Sequence, residues 1–409
     1  MGAFLIELAI VVAGGGAALL LFWPRLANSI RWRATVTPLA SIIGSGFLIL
    51  GPILVNAFGH LAVLAMIGLC VAGYGFGAAI RFNIAQLASS PSDGHWTVQT
   101  ERVASWVLAF AYVVSVAYYL NLLGAFGARL FDQPSEQLPQ IITTLVYAVI
   151  LYAGLSKGFA MLEWMERLSV SIKLAIIASL IAGLAIYTGI HWEAALLTAE
   201  ADLKAIDLSS LPLMFGLIVT IQGFETSRYL DSEYSAAERQ SSMRLAQVIS
   251  TIIYVAYIAL LSLGFSSTSF VANETAIIDL MIGVSAILGP LLIIAALSAQ
   301  FSAAVADTQG SGGLVHELTK GKINAAGGYV GLTLVGVVLT WAADVFLIIS
   351  YASRAFALYY AIQAVLAFVR ARALGQHEGQ PQIVRMALFA SLAALGMACT
   401  LLATPFEGG

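Results

Sequence analysis

Residues 37–59 read TPLASIIGSGFLILGPILVNAFG, an apolar run long enough to cross a bilayer, for which about 20 residues are needed. Three small residues in succession, Gly44, Ser45 and Gly46, interrupt it. Glycine costs about 1 kcal/mol relative to alanine inside a helix, and a serine hydroxyl competes for backbone partners. The pattern predicts a membrane helix that breaks partway across. Irregular backbone at that depth is tolerated only where it is buried in protein or lines a cavity. Close helix packing is the competing reading, because small residues also let membrane helices approach one another.

The rest of the chain is built of similar material. It is 60% hydrophobic and 10% charged, with a mean hydropathy of +0.91, whereas soluble domains carry about 25% charged residues. A single polytopic membrane domain, residues 1–409, is expected, with the lipid bilayer as its surroundings and no nucleic-acid partner. The two cysteines, Cys70 and Cys399, fall in apolar runs far apart, so neither a disulfide framework nor a metal site is expected. The five histidines are scattered at run ends and in loops, and no HExxH, Walker or nucleophile-elbow pattern is present. The expectation is therefore a protein that is no enzyme and needs no cofactor.

Apolar windows fall at 4–23, 38–58, 60–80, 103–127, 139–156, 168–188, 209–227, 244–265, 276–306, 324–342, 344–369 and 383–403, giving about twelve spans. The first lacks a basic segment ahead of it, and Arg25, Arg31 and Arg33 follow it instead, so it reads as a retained helix with an external N-terminus. Alternating the spans from there places sixteen Lys and Arg in or beside cytoplasmic loops, among them Arg102, Lys320, Lys322, Arg370 and Arg372. Only Arg129 and Lys204 fall outside, and Arg354 lies within a span. The positive-inside rule thus supports both the count and an orientation with both termini external, in the cytoplasmic (inner) membrane. The segment between the seventh and eighth windows, RYLDSEYSAAERQSSMR, is expected to hold a short surface helix.

A second weak point lies in LSSLPLMFGLIVTIQGFETSRYL, where Gln222, Gly223, Phe224 and Glu225 stand near the inner end of the seventh window. An intramembrane carboxylate is expensive and is a functional candidate by default. If the helix stops at Gly223 and restarts, Glu225 falls in the first turn of the new piece, where the dipole favours negative charge; a place at the cytoplasmic interface is the alternative. With the first helix set aside, the two breaks fall in spans one and six of the remainder, five spans apart. Interrupted helices at matching positions of two inverted halves are the best sequence pointer to a transporter's binding site.

IIGSGFLILGP (Ile42–Pro52), GFETSRYLDSEY (Gly223–Tyr234) and MERLSVSIKLAIIASLIAGL (Met165–Leu184) resemble the first, sixth and fifth helices of the amino acid–polyamine–organocation (APC) superfamily. The resemblance runs from about residue 37 to 370. It implies an all-α membrane fold of the leucine-transporter (LeuT) type, a five-plus-five inverted repeat working by alternating access. Residues 38–188 would be the first repeat and 209–369 the second, preceded by the extra helix 4–23 and followed by a further helix at 383–403. The N-terminal helix departs from the family pattern.

The site chemistry follows from the breaks. If the first helix restarts near Phe47, the free N–H groups of Ser45, Gly46 and Phe47 form an anion-binding helix end. Carbonyls around Ile221 and Gln222, with Glu225 adding charge, would accept from an ammonium. Amides on one side and carbonyls on the other suit a zwitterion, so an amino acid is the first substrate class. Tyr112, Tyr118 and Tyr119 lie on the third helix of the fold, which lines the site in this superfamily; packing is their other reading. Lys173 either snorkels to the cytoplasmic interface or lies between the first and eighth helices, where sodium-coupled relatives hold a cation and a lysine would couple transport to H+. Ser298 and Ser302, one turn apart, are the rival feature, suited to Na+ or to simple packing. Arg354, about ten residues into its span, is expected to pair with Glu225, Asp279 or Asp307 as a gate or ion pair. Secondary transport is the leading function. An inorganic ion transporter or a non-transporting ligand sensor on the same fold are the alternatives.

Overall fold

Helix α3 (Ile30–Ile42) stops at Ile43, and α4 begins at Gly46 and runs to Phe58, the two axes bent by 45°. The computed structural model describes residues 2–44, 46–89, 94–156, 159–193, 210–230, 234–266, 275–378 and 382–405, less the side chains of 89, 159–167, 377 and 378. Ser45 therefore lies outside the described residues. Ahead of α3 come α1 (Gly2–Leu21) and the single turn α2 (Pro24–Ala27). Ser29 caps α3 by accepting from the Trp32 N–H at 3.2 Å, satisfying one of the orphan donors of a helix start.

Long helices follow: α5 (Ala62–Ser89), α6 (His95–Ala128), α7 (Leu138–Ser156) and α8 (Phe159–Ile190). The second interrupted segment is made of α9 (Leu211–Gly216) and two 3-10 pieces, Ile218–Ile221 and Phe224–Tyr229. Then come α10 (Ala236–Gly264), α11 (Ala276–Val284), α12 (Leu288–Leu318), α13 (Ala325–Ala342), α14 (Val345–Glu378) and α15 (Ile383–Leu402). Among the described residues ten helices are long and apolar enough to cross a membrane, eleven with the bent α3–α4 pair counted as one span. Residues 211–229 are too fragmented to pass that test and supply the remaining predicted window.

Two boundaries differ from expectation. The stretch proposed as a separate surface helix instead starts α10 at Ala236, because Ser235 and Glu238 form a reciprocal capping box there. The 276–306 window divides at Ser285–Ile287 into α11 and α12.

Helices α3, α4, α6, α12 and the fragmented segment form the buried centre, while α1, α7, α13 and α15 lie outside it. The extra helix α1 packs along α8. Ser179 donates to the Ile10 carbonyl at 2.9 Å, and Gly14 and Gly183 leave no room for a methyl against Ser179 and Ile10. Small residues and a side chain-to-backbone bond are how helices adhere where lipid removes the hydrophobic drive.

Candidate functional site

The two interrupted segments meet in the protein interior. Helix α3 lies beside the second 3-10 piece, Phe224–Tyr229, and α4 beside the first, Ile218–Ile221, so the segments run antiparallel. Each break supplies the space that the other fills. A Cβ on Gly46 would stand 2.7 Å from the Thr220 Cα, and one on Gly223 would stand 2.5 Å from the Ser41 Cβ. Gly223 also has φ +116°, in the left-handed region that side chains disfavour. Packing and breakage, the competing readings of these glycines, are therefore the same fact.

Tyr254 of α10 joins the two ends. Its hydroxyl lies 2.9 Å from the Ile42 carbonyl and 2.7 Å from the Thr220 carbonyl, both of which the breaks deprive of helical partners. Phe47, in the first turn of α4, packs its ring on Tyr254 and Tyr257 at centroid distances of 5.6 and 4.4 Å.

Glu225 is fully buried, in the first turn of the restarted piece. One carboxylate oxygen accepts from the Gly223 N–H at 2.9 Å and from the Tyr360 hydroxyl at 2.8 Å. Tyr360 is held for this by stacking between Phe76 and Phe224, each 5.1 Å away. The other oxygen, Oε1, has no hydrogen-bond partner among the described residues, and neither does Oε1 of Gln222, whose amide nitrogen donates to the Tyr119 hydroxyl. Two buried acceptors without donors thus stand within the second break, where such groups are costly. The Ile221 side chain points away from the break, onto Gly73 of α5.

Tyr112 is buried against Gly310 of α12 and meets the Phe356 ring edge-on at 5.9 Å. Tyr118 packs on Tyr119. One turn along from Tyr112, Ser115 donates to Asp307 of α12, so that carboxylate ties α6 to α12.

Lys173 does not snorkel. It is fully buried, and its ammonium donates to the Ala40 carbonyl in the last turn of α3 at 2.7 Å. Its stem lines a cavity of about 10 Å³ with Ile43, Gly44, Phe47, Ala299 and Gln300, at the lower limit for one water. Neither Ser298 nor Ser302 lines this cavity, and the Ser302 hydroxyl turns back to the Ala299 carbonyl at 3.0 Å.

The expected pairing of Arg354 with an acid is not what the structure holds. Ser353, Phe356, Tyr360 and Gln363 form the buried stripe of α14 that faces the breaks, and at 100° per residue Arg354 is turned off that stripe. Its guanidinium donates to the Ala403 carbonyl at 2.6 Å, just beyond α15. Asp279 pairs with Arg129 at the exposed end of α6, and Asp307 is engaged by Ser115.

A polar cluster at the far end of the 3-10 piece Phe224–Tyr229 has no counterpart in the sequence reading. Arg228 forms an ion pair with Glu101 of α6 and donates to Gln363 at 2.6 Å. Gln363 in turn donates to Glu101 at 3.1 Å and accepts from Asn83 of α5 at 2.8 Å. Arg370 approaches Glu101 at 3.6 Å. Helices α5, α6 and α14 and the end of the broken segment are thereby fastened at one point.

A family profile described as APC superfamily transporter matches residues 24–403, leaving α1 outside. An uncharacterized protein of Aquifex aeolicus (strain VF5) is 41% identical over 353 residues, covering 85% of this chain and 86% of its own. Among solved structures, a Na+-coupled sialic acid symporter in a substrate-bound outward-open state aligns over 100% of both chains with a TM-score of 0.54 at 13% identity. The chain belongs to the APC superfamily of transporters and has the LeuT-type fold.

Proposed function

We propose that this transporter moves an amino acid or a related small zwitterion across the cytoplasmic membrane by alternating access, with its binding site between the two breaks. The observation that carries the reading is the pair of donor-less buried acceptors, Gln222 Oε1 and Glu225 Oε1, on the segment whose Thr220 abuts the start of α4 at Gly46. An ammonium supplies the missing donors, and the unpaired N–H groups of Gly46 and Phe47 receive a carboxylate. Tyr112 and Phe224 close the sides of the site.

Coupling to H+ through Lys173 is part of the same proposal. A cation fixed on the Ala40 carbonyl braces α3 against α8. Losing its proton would release that brace, so protonation and the position of the first break are linked. Ser298 and Ser302 are the rival sodium pair, and a sodium gradient, the driving force named for the structural neighbour, is the other arm of the test.

The purified protein, reconstituted in proteoliposomes, is to be offered a panel of radiolabelled amino acids under an imposed pH or sodium gradient. Accumulation driven by the pH gradient is expected. In Lys173→Gln, accumulation is expected to be lost while one-for-one exchange of labelled for unlabelled substrate persists. Uptake that follows sodium at fixed pH would overturn the Lys173 assignment. Binding of the panel without flux would favour a sensor.

A further inference from the structure

On the outer surface of the bundle, away from the breaks, a cavity of about 620 Å³ lies between α6, α13, α14 and α15. Its walls are apolar, with Trp106, Phe110, Val335, Leu339, Tyr351 and Leu358 prominent among them. Trp106, Phe110, Val335 and Tyr351 are exposed, so the cavity opens sideways toward the surrounding lipid. From Tyr351 to Leu358 it follows α14 for about 10 Å at 1.5 Å per residue.

One charge stands in it, Arg354. An arginine on a membrane helix is costly unless something repays it, and it is by default a site with a partner to be named. The Ala403 carbonyl takes a single N–H of the five a guanidinium offers, and the Nε atom is buried with no hydrogen-bond partner among the described residues. The side chain is held at the level where the last apolar helix, α15, ends at Leu402. A cation in the wall of an apolar groove of that length complements an anionic head carrying an acyl chain.

We propose that this groove binds an anionic phospholipid, its phosphodiester on the Arg354 guanidinium and one acyl chain along Phe110, Leu339 and Leu358. Guanidinium and phosphate match as a two-pronged charged pair, which a zwitterionic lipid offers less strongly because its own ammonium competes. The site also touches the transport machinery at one remove. Residue 404, next to the Ala403 acceptor, donates its N–H to the Pro212 carbonyl at 3.1 Å, and its carbonyl crosses α9 at Gly216 with no room for a Cβ. A phosphate that draws the guanidinium from Ala403 would loosen this strap on α9, the first piece of the second broken segment.

The test is native mass spectrometry of delipidated full-length protein titrated with phosphatidylglycerol, phosphatidylcholine or free oleate. Phosphatidylglycerol is expected to bind with one preferred site, and Arg354→Gln to weaken that site by about tenfold, the size of one lost charged hydrogen bond. Leu339→Trp fills the groove without touching the charge and is expected to weaken it as well. Equal binding of phosphatidylglycerol and phosphatidylcholine, or full binding by Arg354→Gln, overturns the proposal. Oleate binding more tightly than phosphatidylglycerol also overturns it, assigning the groove to a fatty-acid carboxylate. Retention of the preferred site by both variants would place the lipid elsewhere.

Discussion

At Gly46 a single methyl group would have to occupy the space of the Thr220 backbone, 2.7 Å away. At Gly223 it would meet both Ser41 and an unfavourable φ of +116°. Strain of this kind costs about 1–3 kcal/mol, and about 1.4 kcal/mol is tenfold in an equilibrium. Gly46→Ala and Gly223→Ala are each expected to lower initial uptake in proteoliposomes by about tenfold or more. Gly16→Ala, where nothing lies within 4 Å, is expected to leave uptake unchanged and serves as the control. These glycines and Glu225 were legible in the sequence because such residues are anomalies in an apolar run. Tyr254 and Tyr360 were not. A buried tyrosine on a membrane helix reads the same whether its hydroxyl joins two broken helices or fills a gap, and only the positions of Ile42, Thr220 and Glu225 distinguish the cases.

At the level of elements, Arg228, Glu101, Gln363 and Asn83 fasten α5, α6, α14 and the 3-10 piece Phe224–Tyr229 at one point, which we propose to be a barrier on one side of the breaks. Removing one partner leaves the other charge poorly paired, and contacting residues of one network couple by about 0.5–3 kcal/mol. Arg228→Gln and Glu101→Gln are each expected to speed modification of a cysteine introduced at Thr226 by a polar thiol reagent. The double variant is expected to do so by less than the two effects combined. If neither single variant changes that rate, the cluster is no barrier. This network was hidden because its ion pair joins residues 127 positions apart, and no periodicity links them. Arg354 failed for a related reason. Its depth could be counted from the sequence, whereas its direction depends on which face of α14 meets the core, and Ser353 takes that face instead.

For the whole molecule, alternation of spans with the basic loops on one side leads to the expectation that both termini lie outside. Cys70 and Cys399 are buried, so cysteines placed singly at exposed positions will be labelled over a low background. Cysteines at Ala3 and Asp132 are expected to react with an impermeant maleimide on intact cells, and one at Lys322 only after permeabilisation. The opposite pattern would invert the orientation. Most of the twelve windows were recoverable by composition alone, since a continuous apolar helix declares itself. The division of α11 from α12 was not, because both are apolar and the kink at Ser285–Ile287 is only three residues long. One feature of the centre reaches beyond any single residue. Gly46 rests on Thr220, Gly223 rests on Ser41, and the Tyr254 hydroxyl touches a carbonyl from each segment. Two independent hinges would allow four combinations of open and shut. Hinges whose knuckles are seated in each other allow two, so a cycle that alternates between facing in and facing out has no cheap route through a state with one hinge turned and the other not.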